Sequence, residues 1–486
     1  MIKNLIKKFN VILLLFFTTQ IYNKFQRHYQ RKFGTKMPVI LVGGNVGKSS
    51  QTLILNQLYA ALGYRVWTGT TMYKNRNTLT GLIMVLGEFN QDLEQSNFTD
   101  KFSFLIKAKI AWLFKTWNFG NKPNILIYEV GIDHQNESDL YINLFKQVDW
   151  VILSNFGPEH TAGFSNVFDR KSNTNISQQL KGLIEFESDL DLLKAKYEIV
   201  EKNCYLEQLK LLTIAKRYIL PSTFEISDKT EIVVFDSKLT KIIPKVERKK
   251  DFTLEIDDVK TNSEYFLPLS FARQIAISKI IYESNFKDLS TPNNSSSDTK
   301  IDLVYYENWS NIVSKLELPN GRFGFFNGLN NSKIVDGSYN NDPASLKTFV
   351  NQILKTELNQ RNYLIIGEMR ELGLNTVTVH NQMLDYIDSL PFKYKKNLKI
   401  MLLGDTWKKC NYDKNQIVYF ERVGQAITYF KKIKFPANSW FWIKGSQNTI
   451  FLEALVESLL VDKKDKSKLA RIGKDWDEIR KPYLIS

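Results

Sequence analysis

Short apolar runs of strand length alternate with stretches of helical period along most of this chain. Val39-Ile40-Leu41-Val42 is contiguous and apolar, which predicts a buried strand over Pro38–Gly43. A Gly-rich turn follows. Gln51–Leu62 then repeats apolar residues at helical spacing and is ended by Gly63. Tyr64–Trp67 begins a second strand, Asn124–Tyr128 forms a third and Trp150–Ser154 a fourth. Farther on, Lys333–Asp336 predicts a strand, Ala344–Leu354 a helix and Tyr363–Gly367 a strand. Lys399–Gly404, Trp440–Lys444 and Thr449–Leu460 continue the alternation. Such a pattern predicts the α/β class, with mostly parallel sheets covered by helices.

Asn285–Lys300 interrupts this pattern with Ser290-Thr291-Pro292-Asn293-Asn294-Ser295-Ser296-Ser297, a run that cannot build a core. A new α/β pattern starts near Pro319. The expected organisation is an N-terminal segment over residues 1–36, a central domain over 37–318 and a C-terminal domain over 319–486. A length of 486 residues suits two or three domains.

The first segment has its own character. Lys3, Lys7 and Lys8 precede the apolar run Val11–Phe17, and Lys24, Arg27, Arg31 and Lys32 follow it. A spanning helix needs about 20 mostly apolar residues, and this run is shorter. Thr18-Thr19-Gln20 is a poor signal-peptidase site. Two readings stand: a membrane-surface helix or marginal signal anchor whose basic flanks meet anionic lipid, or a helix packed on its own protein.

The net charge of +15 favours anionic partners, but it is dispersed in short runs such as Arg248-Lys249-Lys250. No nucleic-acid motif accompanies it, so no nucleic-acid partner is expected. Two cysteines, Cys204 and Cys410, supply neither a disulfide framework nor a zinc-type pairing, which points to a reducing compartment such as the cytoplasm.

Three loops carry candidate chemistry, each at the end of a predicted strand. Gly44-Asn45-Val46-Gly47-Lys48-Ser49-Ser50 lies between a strand and a helix, where a phosphate site belongs. Its glycines let backbone N–H groups approach phosphate oxygens. Lys48 can neutralise the β- and γ-phosphates, and the Ser49 hydroxyl can ligate Mg²⁺. The alternative is an ordinary Gly-rich turn. Glu129 follows the third strand and precedes Val130-Gly131; it can hold Mg²⁺ facing the phosphates, or be a surface carboxylate. Ser154-Asn155-Phe156-Gly157-Pro158-Glu159-His160 follows the fourth strand and carries one of only four histidines, a potential divalent-ion ligand or a loop residue with a local hydrogen bond.

The order and spacing of these three segments resemble the Mur ligases, most closely the branch that adds D-alanyl-D-alanine to the cell-wall tripeptide precursor. That family has G-T-N-G-K-[ST]-[ST], then E-M-G-A, then T-N-[IV]-x-x-[AD]-H. Lys194-Ala195-Lys196-Tyr197-Glu198-Ile199 is similar to its A-K-x-E-I segment. Pro319-Asn320-Gly321-Arg322 resembles P-x-G-R, and Val335 to Pro343 resembles I-D-D-S-Y-N-A-N-P. Ile366 to Gly373, with His380, resembles L-G-D-M-x-E-L-G…H, and Lys444-Gly445-Ser446 with Glu453 resembles K-G-S-R…E. The resemblance runs from Met37 to roughly Leu460.

It implies a P-loop-type central domain with a mostly parallel sheet, and a smaller Rossmann-like C-terminal domain. It also implies an ATP-dependent ligase that joins a carboxylate donor to an amino-acid or dipeptide acceptor through an acyl-phosphate, in peptidoglycan synthesis. Lys48, Glu129, His160 and Lys196 would be catalytic. Gly44, Gly47, Lys48, Ser49, Ser50, Asn155, Arg322 and Asp336 would bind the nucleotide. Ser49, Glu129, His160 and Lys196 would hold two Mg²⁺ ions, the second through a carbamylated Lys196.

The chain departs from the family at several places. Only Met1–Lys36 precedes the first strand, too little for the domain that binds a UDP-sugar. Val46 replaces an Asn. Ser270-Phe271-Ala272-Arg273-Gln274 lacks the residues of H-N-x-x-N, Gly337 replaces an Asp, and Gln447 stands where K-G-S-R has its Arg. The phosphate and metal residues are intact. Two alternatives therefore accompany the main expectation: a ligase for a lipid-linked or other non-UDP donor at the inner face of the membrane, and a nucleotide-binding scaffold without turnover.

Overall fold

The computed structural model describes residues 2–44, 47–71, 77–89, 114–132, 136–154, 208, 210–220, 233–236, 278, 281, 315–354, 360–370, 372, 376–446 and 449–485. They fall into two compact units. The first carries everything up to Leu316, and the second runs from Glu317.

The first unit opens with helix α1 (Ile2–Phe33). Then come β1 (Val39–Gly43), α2 (Lys48–Ala61), β2 (Arg65–Trp67), α3 (Leu79–Gly87), β3 (Asn124–Glu129), α4 (Glu137–Phe145), β4 (Val148–Leu153), β5 (Ala215–Leu220) and β6 (Val233–Asp236). Strand order is β2-β3-β1-β4-β5-β6. All pairs are parallel except β5 with β6. Every residue of β1 and β3 is buried, as expected of strands covered on both faces. The chain leaves β1 toward β2 and leaves β3 toward β4, so its two crossovers run in opposite senses. Right-handed crossovers then put α2 and α4 on opposite faces and open a crevice at the C-terminal ends of β1 and β3.

Of the two readings of the N-terminal segment, packing on its own protein holds for the second half of α1. Phe25 is fully buried and meets Trp67, Trp117 and Phe119 edge-on, with centroids 4.9, 5.4 and 5.2 Å away. Tyr22 meets Phe145 of α4 at 5.0 Å. The buried Gln26 amide donates to the Met37 carbonyl oxygen and accepts from its N–H, which fixes the exit toward β1. Among the described residues, no helix is long and apolar enough to cross a membrane.

The second unit comprises β7 (Gly324–Gly328), β8 (Ser332–Gly337), α5 (Pro343–Ile353), β9 (Asn362–Gly367), α6 (Thr376–Asp388), β10 (Leu398–Leu403), β11 (Ile417–Phe420), α7 (Val423–Lys432), β12 (Trp440–Lys444), α8 (Glu453–Leu459) and α9 (Lys474–Arg480). Its strand order is β11-β10-β9-β12-β8-β7, parallel except for the β7–β8 hairpin. Period-two alternation divides each strand between two cores. Val335, Leu364, Ile366 and Trp442 pack with α5 and α6. Ile334, Ile365, Phe441 and Ile443 pack with α7 and α8. Asp342 caps α5 by accepting from Ser345 N–H at 2.9 Å, with Pro343 at its first position.

Candidate active site

Gly44 and residues 47–50 sit at the mouth of the crevice between β1 and β3. Helix α2 begins at Lys48, three residues earlier than its apolar period predicts, so Ser49 and Ser50 belong to its first turn. Its N-cap is Gly47, with φ 87° and no side-chain cap. That backbone suits glycine, and the helix N-terminus it opens favours an anion. Lys48, Ser49 and Ser50 are all buried.

Glu129 is the last residue of β3 and lies in register with Val42 of β1. It is no surface carboxylate: it is 2% exposed. Its Oε1 accepts from Ser49 Oγ at 3.1 Å and its Oε2 accepts from Thr70 Oγ1 at 3.1 Å. Asn56 of α2 holds the loop after β2 by donating to Thr68 Oγ1 and to the Thr70 carbonyl, both at 3.0 Å. Two hydroxyls and a carboxylate thus converge, a hard oxygen set that fits Mg²⁺. Among the described residues there is no group of three or more His, Cys, Asp or Glu that could hold a metal ion.

Sequence reasoning missed Thr70 and Gln208. The buried Gln208 accepts from Gly44 N–H at 3.1 Å and so holds the loop from below. Ser154 donates its N–H and its hydroxyl to the Gly43 carbonyl, at 3.0 and 3.1 Å, which ties the end of β4 to the same loop. Asn155, His160 and Lys196 lie outside the described residues.

The second unit gathers its motif segments at the C-terminal ends of β8, β9 and β12. Gly337 pairs with Lys444, and Lys444 with Ile366. The 336–342 and 444–446 loops touch so closely that a Cβ at Gly445 would lie 2.0 Å from the Ser338 carbonyl oxygen. Asp336 is fully buried and accepts from Ser338 N–H at 2.9 Å; burial pushes its carboxyl above the usual range. Lys444 donates to the Asn340 carbonyl, and Asn341 to the Gly367 carbonyl at 2.7 Å. The Arg322 guanidinium lies 4.7 Å over the Tyr339 ring. His380 is buried: its Nε2 accepts from Met369 N–H at 2.9 Å, which leaves the proton on Nδ1, 2.6 Å from the Thr376 carbonyl oxygen. Burial pushes its pKa down, in keeping with that neutral form.

No family model matches the chain. Among curated sequences, a UDP-N-acetylmuramoyl-tripeptide--D-alanyl-D-alanine ligase from Rickettsia prowazekii (strain Madrid E) is 21% identical over 434 residues, covering 85% of this chain and 84% of the relative. Among solved structures, MurF from Acinetobacter baumannii matches with a TM-score of 0.50 and 14% identity, over 89% of this chain and 79% of that one. MurF ligase from Thermotoga maritima in complex with ADP matches with a TM-score of 0.50 and 11% identity, over 94% and 84%. The structures share the fold, and the Rickettsia sequence is similar along most of its length. With motif segments seated at the strand ends of both sheets, the chain is similar in sequence to a Mur-type ligase over most of its length and shares the fold of the solved MurF structures.

Proposed function

We propose that the chain joins a carboxylate to an amine at the expense of ATP, in the assembly of a cell-wall peptide precursor. The convergence of Ser49, Thr70 and Glu129 beside the 44–50 loop carries this reading. Phosphates would lie on the α2 N-terminus, with Lys48 neutralising them and Arg322, Asp336 and Asn155 serving the nucleotide. Mg²⁺ would be held by Ser49, Thr70 and Glu129, and when bound supplies Lewis-acid polarisation of a phosphoryl oxygen.

A donor carboxylate oxygen attacks the γ-phosphorus; the bond to the β,γ-bridging oxygen breaks, giving an acyl-phosphate and ADP. The acceptor amine then attacks the acyl carbon. Phosphate leaves with the C–O bonding pair, and the amine loses a proton to give the amide. Lys48 holds the phosphoryl charge through the first step. Carbamylated Lys196, with His160 and Glu129, belongs to this proposal as a second Mg²⁺ site, because a carbamate converts a cation into an oxygen ligand.

The name of the Rickettsia relative specifies a UDP-N-acetylmuramoyl-tripeptide and D-alanyl-D-alanine, and we carry these over as donor and acceptor. A membrane-proximal, lipid-linked donor is the second reading. It is favoured by the first half of α1, where Phe16 is 55% exposed and Lys3, Lys7 and Lys8 can meet anionic lipid at the inner face of the membrane. The purified chain, given Mg²⁺, ATP, muramoyl peptides and D-alanyl-D-alanine, should release ADP and form a product heavier by the dipeptide less water. Nucleotide binding with no ADP release under any donor would instead make the chain a scaffold.

A further inference from the structure

Past Leu460, beyond the segments that resemble the family, the polypeptide returns to the loops of the second unit. It brings Arg471 to them. Arg471 is 8% exposed and adopts a left-handed backbone with φ 52°. Its Nη1 donates to Glu453 Oε2 at 3.0 Å and to the Ser338 carbonyl at 3.4 Å. Its Nη2 donates to the Ser446 carbonyl at 3.1 Å and to the Tyr339 carbonyl. The guanidinium also lies 5.2 Å over the Tyr339 ring, the same ring that carries Arg322. Arg480 of α9 stands 3.9 Å from the other Glu453 oxygen.

The three carbonyls belong to the two loops that meet at Gly445. Their oxygens present negative ends to one another, and a planar, forked cation between them is what allows the close approach. Lysine offers one charged point and cannot span such acceptors.

We propose that Arg471 is a positioning residue that clamps the 336–339 and 444–446 loops together. The proposal rests on the ligase reading for its kinetic consequence, not for its geometry. Arg471 acts through the backbone of Ser338, Tyr339 and Ser446 and touches no substrate.

The test compares Arg471→Gln, Arg471→Lys and E453Q/R471Q in the full chain. It reads ADP release, thermal midpoint and peptide-resolved hydrogen exchange at residues 338–342 and 444–446. Arg471→Gln should speed exchange at both loops and lower kcat/KM by about 10²-fold, the scale of an ångström-sized misplacement. Arg471→Lys should behave like Arg471→Gln. E453Q/R471Q removes the buried carboxylate that Arg471→Gln leaves with Arg480 alone, so it should regain the thermal midpoint but neither loop protection nor rate.

Wild-type exchange and rate in E453Q/R471Q, or full function in Arg471→Lys, would overturn the clamp. If the wild-type chain releases no ADP, the ligase reading fails, and exchange at the two loops still decides the clamp.

Discussion

Ser49 and Glu129 stand 80 residues apart in sequence and share a hydrogen bond of 3.1 Å. One lies in the first turn of a helix and the other closes a strand, so this contact ties the start of α2 to the end of β3. Glu129→Gln keeps the shape and removes the charge. Turnover should fall on the order of 10²-fold or more, and the Mg²⁺ needed for half-maximal rate should rise. Binding of ATP in EDTA should change little. ADP release titrated against Mg²⁺ measures the first two; an unchanged rate in Glu129→Gln removes the metal from this carboxylate.

Lys48 and Lys196 should separate binding from turnover. Lys48→Ala should weaken nucleotide binding itself, because the phosphates lose their buried cation, and no small acid should restore it. Lys196→Ala should bind ATP nearly as well as the wild type while losing about 10²-fold in rate. Added formate or acetate should return part of that rate by filling the vacated ligand position. Calorimetric binding beside steady-state kinetics makes the comparison. Full activity of Lys196→Ala at saturating Mg²⁺ would exclude the second metal site.

Phe25 predicts a structural role for α1 that does not depend on any membrane. Its ring is fully buried among Trp67, Trp117 and Phe119. Phe25→Ala should cost about 3–5 kcal/mol of the first unit's stability, as large-to-small aromatic truncations do. Chemical denaturation followed by tryptophan fluorescence reads it directly, since two of the contacting rings are tryptophans. A loss below about 1 kcal/mol would mean that the helix merely rests on the unit.

His380 predicts a pH dependence with a definite sign. Burial lowers its folded-state pKa below the ordinary histidine value. Between that lowered value and about 6.5, the unfolded chain binds more protons than the folded one. Stability from this group is therefore fully present above about pH 6.5 and declines as pH falls through the window. His380→Gln can still accept from Met369 N–H and does not titrate. The thermal midpoint of the wild type should fall faster than that of His380→Gln on acidification from neutrality, and parallel curves would refute the assignment.

Much of the scaffold was legible because the strands are contiguous apolar runs buried on both faces. Trp440–Lys444 matches to the residue, and β1, β3 and β9 match to within one residue at each end. The start of α2 was misjudged for a physical reason. Helix starts are read from side-chain caps, and here the cap is a left-handed glycine with no side chain to announce it. Ser49 and Glu129 were readable from strand-end position and residue type. Thr70, Gln208 and Arg471 were not, because each acts on a loop remote in sequence. Gln208 reaches Gly44 across 164 residues, and no local period announces such a contact. The β7–β8 hairpin escaped notice because Gly324 and Gly328 dilute its strand pattern.

Helix α1 runs without interruption through 32 residues, about 48 Å at the usual rise. Its second half is cemented to the first unit by Phe25, Gln26 and Tyr29. The first half therefore works as a rigid lever and not as a tether. Whatever grips residues 2–17 fixes the heading of the β1 strand end as well as its address, with no swivel between handle and blade. A flexible linker of equal length would let the unit tumble; this one makes its rotation follow that of whatever holds it.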